Sequence, residues 1–567
     1  MKRISLFLIT LWMLCGYASA QHQLIYRAFT LGGDGDTSLT KVLAEGERVR
    51  IESGNDPVAN PVPGTATHYT YIDYAADTII SQLVYSPAEQ YCCGSDLPSN
   101  EYSEEGTEKI NGYQCTKYKI VLFSNTIELW VTRDLRLRAT PIASFADLPG
   151  VLVQYRRNGN AVMQLAEVQK LRPFKEPLFP GNDLHHFGEV LTRAQLGNLE
   201  KEKLVITVPI FDEAQICFNP RIAVPQTVGF DTTLSFANGT VVLKRLHWRQ
   251  LPAHYRLFAE VTQYSNGDAY DRTGSIFLIP TRRGQSFLDA LKANGADVLP
   301  SFTDKEGGKY QGMVLTERYQ PLVELIRFFT PFGIRHYNQY RSLGDRDWAT
   351  ETRYKQDISD LQAAFGDEVL IGAFIGNYDG GGHKLSLTLK AYPEEETWDT
   401  AGLHKRFVLP LFNTCNVMEM AGQNYGRFFR TDSLTVSFDV PEGTEQLTLR
   451  YITTGHGGWD NGDEFVPKAN TILIDGQVRY IYTPWRCDCG TYRVLNPASG
   501  NFWNGLSSSD YSRSGWCPGT ATQPTYFDLS DLRPGRHTLT VAIPQGAPEG
   551  GSFSAWNVSG VLVGTIK

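Results

Sequence analysis

Ser433-Leu-Thr-Val-Ser-Phe-Asp-Val440 alternates polar and apolar residues with period two, the pattern of a β-strand that presents one face to a core and one to water. The same alternation returns in Gln446-Leu-Thr-Leu-Arg-Tyr-Ile452 and His537-Thr-Leu-Thr-Val-Ala-Ile543. Asn238-Gly239, between TTLSFA and TVVLKR, and Asp475-Gly476, between TILI and QVRYIY, are two-residue hairpin signals, because Asn, Asp and Gly tolerate positive φ. Helical patterning is confined to Ser286 to Ala293 and Asp360 to Phe365. Many short strands separated by Gly and Pro predict an all-β chain of sandwiches or barrels.

The chain has 567 residues, enough for about three to five domains. Hydrophobic residues at 42%, charged at 20% and aromatic at 12% exclude disorder, collagen and coiled coil as the main state. With 53 Lys+Arg against 61 Asp+Glu the net charge is −8, so no general basic field exists to hold nucleic acid or anionic lipid. Lys2 and Arg3, the apolar run Ile4 to Leu14 and Ala18-Ser-Ala20 form a cleavable export signal, with the mature chain starting near Gln21. A lipid-modified Cys15 is disfavoured by Leu14 in front of it, where that processing wants a small residue. No later apolar run is long enough to span a bilayer, so the expected location is periplasmic, cell-surface or secreted, without membrane insertion.

Eight cysteines follow the signal, Cys92, Cys93, Cys115, Cys217, Cys415, Cys487, Cys489 and Cys517, an even set that in an exported chain reads as a few staples on large cores. Cys487-Asp-Cys489 is not a zinc-ribbon spacing and reads as structural pairing. Proline and acidic runs at 170–184 and 392–400 mark linkers, giving a signal at 1–20, an N-terminal β-rich domain at 21–172 and two further domains at 180–392 and 400–567.

Three segments concentrate polar chemistry. Gly455-His-Gly-Gly-Trp-Asp-Asn-Gly-Asp-Glu464 joins two strands and holds one His, one Trp and three acids, so it reads either as a site loop or as a solvated connector. A calcium reading of Asp460, Asn461 and Asp463 fails on the spacing of a 12-residue EF-hand loop. Asn266-Gly-Asp-Ala-Tyr-Asp-Arg272 places two acids three apart beside an Arg, which suits one ionised and one protonated carboxyl, or an Asn-Gly-Asp turn with a surface ion pair. Arg513-Ser-Gly-Trp-Cys-Pro-Gly519 reads as a rigid turn presenting an aromatic platform and a cation to sugar rings and amide oxygens, or as a structural Trp on a disulfide-anchored turn. Copper chemistry lacks a His-x-His, no Gly-x-Ser-x-Gly elbow supports a serine nucleophile, and there is no P-loop.

In chain order these segments resemble peptide-N-glycosidase F, the bacterial N-glycan amidase family, over roughly residues 200 to 567. Supporting stretches are Ile326-Arg-Phe-Phe-Thr-Pro331, Gln356-Asp-Ile-Ser-Asp-Leu361 and Val408-Leu-Pro-Leu411. The resemblance implies two adjacent jelly-roll β-sandwiches with the active site in the cleft between them, and a Cys489–Cys517 disulfide. It implies Asp271 and Glu464 as catalytic carboxylates, and Arg272, Tyr270, Asp268, Tyr378, His456, Phe465, Arg513 and Trp516 as cleft residues, with no metal or cofactor. Tyr270 and Phe465 stand where the family has Trp. A third family carboxylate falls on Gly376 when Tyr378 is placed on a cleft Trp, with Asp379 the nearest acid, and Gly462 and Val466 replace a cysteine pair around Glu464. A cysteine pair upstream of Asp271 is missing as well.

The N-terminal stretches Ile110-Asn-Gly-Tyr-Gln-Cys115, Leu129-Trp-Val-Thr132 and Asp147-Leu-Pro-Gly-Val-Leu152 resemble the small exported family named for its Gly-Leu-Pro-Gly-Leu-Ile signature, implying an accessory domain. The expectation is therefore a monomeric hydrolase that releases intact N-glycans from glycoproteins or glycopeptides and leaves Asp. The rival is a non-catalytic carbohydrate-binding or adhesin protein on the same scaffold.

Overall fold

The computed structural model describes residues 21–32, 38–53, 66–171, 177–251, 255–394, 405–457, 462–547 and 554–566. The export signal, Asp460 and Asn461 of the calcium reading, and most of the 392–400 linker lie outside them. The chain divides into two compact units, Met1–Val205 and Ile206–Lys567.

The first unit is one 12-stranded sheet, a meander in which every pairing is antiparallel except the two-residue strand Glu189–Val190 at one edge. Leu24, Val42, Val49, Ile72, Trp130 and Val153 face its main core. Its helix Arg193–Leu204 was not read from the sequence. Only Leu196 of its twelve residues is buried, so no apolar stripe announces it. The available signal was Thr192 with Gln195, which form a reciprocal capping box. Among the described residues only Cys489 and Cys517 are bonded, and Cys92, Cys93, Cys115, Cys217, Cys415 and Cys487 are free thiols. Five of these six are wholly or partly buried, which keeps those thiols from solvent.

The second unit contains two β-sandwiches. In the first, the strands Ile206–Ile216, His383–Pro393, Tyr255–Ser265 and Thr352–Asp357 form one sheet. Leu234–Phe236, Val241–His247, Glu368–Ile375, Thr273–Leu278, Val323–Phe329 and Ala521–Thr522 form the other. The second sandwich pairs Lys405–Asn413, Ala555–Ile566, Thr444–His456 and Thr525–Asp528 with Leu434–Val440, Gly535–Ala542, Asn470–Ile474 and Gln477–Tyr482. The alternating stretches behave as their period requires: Leu434–Val440 buries every second residue, Leu434, Val436, Phe438 and Val440. Asp475 and Gly476 take φ of 51° and 79° in a two-residue turn closed by the Ile474–Gln477 pair. The Asn238-Gly239 hairpin forms too, but with a four-residue connection from Phe236 to Val241.

The two sandwiches are fastened by polar groups with no access to water. Glu324 and Arg327 are fully buried and paired at 2.7 Å. Glu324 also accepts from Ser275 at 2.8 Å and, across the junction, from Ser559 at 2.6 Å. Arg327 donates to Thr454 at 3.2 Å and to the Asn557 carbonyl, and Arg450 donates to the carbonyls of Glu324 and Leu325. Glu324 and Arg327 are thus each paired and hydrogen-bonded, the condition under which a buried charge is tolerated, and Arg450 lies 3.4 Å from Asp360. Ala521–Thr522, from the second half of the sequence, adds a strand to the first sandwich beside Arg327 and Phe328.

Candidate active site

Asp271 sits on the loop between Tyr255–Ser265 and Thr273–Leu278 of the first sandwich. That loop is braced from below. Thr330 Oγ1 accepts from the Arg272 N–H at 2.8 Å and donates to the Tyr270 carbonyl at 3.1 Å, and the Ser265 hydroxyl donates to the Asp268 carbonyl at 2.6 Å. Glu464 follows Thr444–His456 of the second sandwich, where Asp463 is fully buried and accepts from the Trp556 indole at 2.7 Å and from Gly546 N–H. A Cβ on Gly455 would fall 2.5 Å from the Asp463 carbonyl oxygen, so the loop closes this tightly only over glycine.

Arg513 joins the two carboxylates. Its Nε donates to Glu464 at 2.8 Å and its Nη2 lies 3.4 Å from Asp271. The remaining N–H groups go to the Ser508 carbonyl and hydroxyl and to the Tyr511 carbonyl. All five donors of this fully buried guanidinium are engaged, so its work is to hold the two carboxylates rather than to await a ligand. Its plane is flanked by Phe465 at 5.0 Å and Trp516 at 4.8 Å.

The two aspartates of the loop are driven in opposite directions. Burial pushes the Asp271 carboxyl up, Arg513 opposes this, and the neighbouring Glu464 adds to it, leaving it at about 7. Burial also acts on Asp268, but hydrogen bonds from His383 and Arg272 outweigh it and bring that carboxyl down to about 2. Arg272 grips Asp268 through Nε at 2.6 Å and Nη2 at 3.1 Å, and His383 Nε2 lies 3.3 Å away. His383 was missed in the sequence, being a lone His in a strand. Its other nitrogen meets the Gln263 amide at 2.9 Å, so Nε2 carries the proton that faces Asp268.

Besides Arg513, two expected cleft contacts are corrected by burial. Asp268 is 2% exposed and spent on Arg272 and His383. Trp516 is 3% exposed, stacked on Phe329 at 4.1 Å with its indole bonded to the Gly455 carbonyl, so it is the structural Trp of the disulfide-anchored turn and not an open platform. His456 lies against Trp516 and Phe329, with Nε2 2.8 Å from the Thr454 hydroxyl, and burial together with Arg327 and Arg513 holds it neutral, down at about 3. Tyr270 and Tyr378 are the open aromatics, 60% and 63% exposed, and the Arg272 guanidinium lies over both rings at 5.0 and 5.8 Å. Phe465 is partly buried against Phe502 and Tyr511. Asp379, the acid nearest in sequence to Gly376, turns its Oδ1 to the N–H groups of Gly381 and Gly382. The Cys489–Cys517 bond anchors the turn that carries Arg513.

Family models match at residues 207–391, the N-terminal domain of peptide-N-glycosidase F, and at 424–563, its C-terminal domain. A third, the N-terminal domain of N-glycanase peptide, matches residues 99–183, overlapping the second half of the domain read above at 21–172. The solved structure of PNGF-II in space group P21 is 38% identical, covering 97% of this chain and 100% of its own, with a TM-score of 0.76. The chain belongs to the peptide-N-glycosidase F family. A second crystal form of PNGF-II gives a TM-score of 0.71 at the same identity. Recombinant peptide:N-glycanase F covers 64% of this chain at 14% identity, with a TM-score of 0.43. No curated protein sequence matches this chain. In this member of the peptide-N-glycosidase F family, Asp271, Glu464 and Arg513 come from two sandwiches and meet at one point.

Proposed function

We propose that this protein hydrolyses the amide between asparagine and the first N-acetylglucosamine of N-glycans, releasing the intact glycan and leaving Asp in the peptide. One observation carries the reading: Arg513 ties Glu464 of one sandwich to Asp271 of the other, and Asp271 is left with a carboxyl near 7. Hydrolysis of an amide needs a placed water, a donor for the developing oxyanion and a proton for the departing nitrogen. Asp271 is suited to proton exchange at neutral pH, and Glu464 to orienting the water or the first sugar. Water adds to the side-chain carbonyl carbon, the C–N bond breaks, and the proton goes to the nitrogen that leaves as glycosylamine. Arg272 supplies the cationic donor, since Arg513 has no donor to spare. Its Nε and Nη2 are held by Asp268, which fixes the direction of the rest of the guanidinium. The substrates are N-glycosylated proteins or peptides, and the chain acts as an exported monomer.

The test is release of glycan from one denatured glycoprotein by the native chain and by Asp271→Asn. Turnover is expected to fall about 10²- to 10⁴-fold with the fold retained. Binding of glycan without release by the native chain would favour the carbohydrate-binding alternative.

A further inference from the structure

The strand Glu368–Ile375 of the first sandwich ends at Gly376, whose N–H donates to the Thr273 carbonyl beside the Asp271 loop. A Cβ there would lie 3.0 Å from the Phe374 ring and 3.1 Å from Glu419 Oε2, so the missing side chain leaves just the room into which Glu419 reaches. Glu419 comes from the other half of the sequence, on a short turn between Lys405–Asn413 and Leu434–Val440. The turn is firmly set. Val417 and Met418 are buried in the core of the first sandwich, the Met420 carbonyl accepts from Asn238 at 2.6 Å, and Gln423 accepts from the Met418 N–H.

Its carboxylate accepts from the Tyr378 hydroxyl at 3.5 Å, and no ion pair within 4 Å joins it to Arg272 among the described residues. Burial raises the Glu419 carboxyl and Arg272 opposes the rise. A carboxylate thus stands beside the open ring of Tyr378 without an ion-pair partner of its own, while Arg272, which lies over the rings of Tyr270 and Tyr378, is already held by Asp268. A polar ring with hydroxyl and amide N–H groups complements these groups: its N–H and O–H groups need an acceptor and its C–H groups an aromatic face.

We infer that Glu419 is a substrate-binding residue that accepts a hydrogen bond from a hydroxyl or acetamido N–H of the sugar joined to the scissile amide. The inference rests on the amidase reading above and adds the residue that holds the first sugar. The experiment is steady-state kinetics on one defined glycopeptide with the native chain, Glu419→Ala and Glu419→Gln, together with melting temperatures and calorimetric binding of N,N′-diacetylchitobiose. Loss of a hydrogen bond to a charged group predicts KM raised about 10- to 100-fold in Glu419→Ala, with kcat changed less than about threefold and melting little altered. Glu419→Gln keeps the side-chain shape, serves if the alanine variant misfolds, and is expected to fall between the two. An unchanged KM, or a loss confined to kcat, overturns the inference while leaving the amidase reading standing. If the native chain releases no glycan, the amidase reading falls, and equal chitobiose affinity in native and variant protein overturns the inference separately.

Discussion

The Asp268 and Asp271 side chains lie three residues apart and titrate on opposite sides of the ordinary aspartate range, which makes a sign test possible. Asp268, lowered to about 2, contributes stability that is present above pH 4 and lost as pH falls through 2. Asp271, raised to about 7, does the reverse: the folded state is favoured below pH 4 and loses that advantage as pH rises through 7. At pH 8, Asp268→Asn is therefore expected to destabilise by about 2–3 kcal/mol and Asp271→Asn to melt above the native chain, the latter difference vanishing near pH 4. Thermal melts across pH 3 to 9 check both; two variants shifting in the same direction at pH 8 would contradict the electrostatic account. The pattern of two acids beside an Arg was visible in the sequence, including the option of one ionised and one protonated carboxyl. Which acid is which was not, because the answer depends on His383 and Arg513, 115 and 242 residues away from the acids they contact.

At the scale of elements, the strands announced themselves because one face of each is buried and the period of two survives in the side chains, as in Leu434–Val440. The fully buried strand Val323–Phe329 has no such alternation, since both faces are covered, and its Glu324 and Arg327 read as ordinary charges until the second sandwich closes over them. Removing one partner of this pair strands the other charge, so Glu324→Ala is expected to cost about 3–5 kcal/mol, and a denaturant titration measures it. The loop that carries Arg513 is closed by Cys489 and Cys517, which stand 28 residues apart. Replacing Cys517 by Ser is expected to cost about 3–4 kcal/mol if the closure acts on the unfolded chain. Activity should fall further than stability alone dictates, because Arg513 loses its anchor. Equal activity in a folded Cys517→Ser protein would show that the Ser508 and Tyr511 carbonyls suffice to hold Arg513 in place.

For the whole molecule, every group proposed to touch substrate lies after Ile206, and that unit has its own apolar cores, built around Phe412, Phe438 and Trp556 in one sandwich and Phe236, Phe277 and Phe374 in the other. A chain beginning at Ile206 is expected to fold and to release glycan from a short glycopeptide; a folded but inactive product would place a necessary group in the first unit. The central claim concerns which bond is cut. Hydrolysis in heavy-oxygen water followed by mass spectrometry of a single glycopeptide tests it most directly. The account predicts a peptide bearing Asp with one solvent oxygen in its side-chain carboxyl, and a glycan that leaves as glycosylamine and then loses ammonia. A peptide that retains one N-acetylglucosamine on Asn, with no heavy oxygen in its side chain, would contradict it.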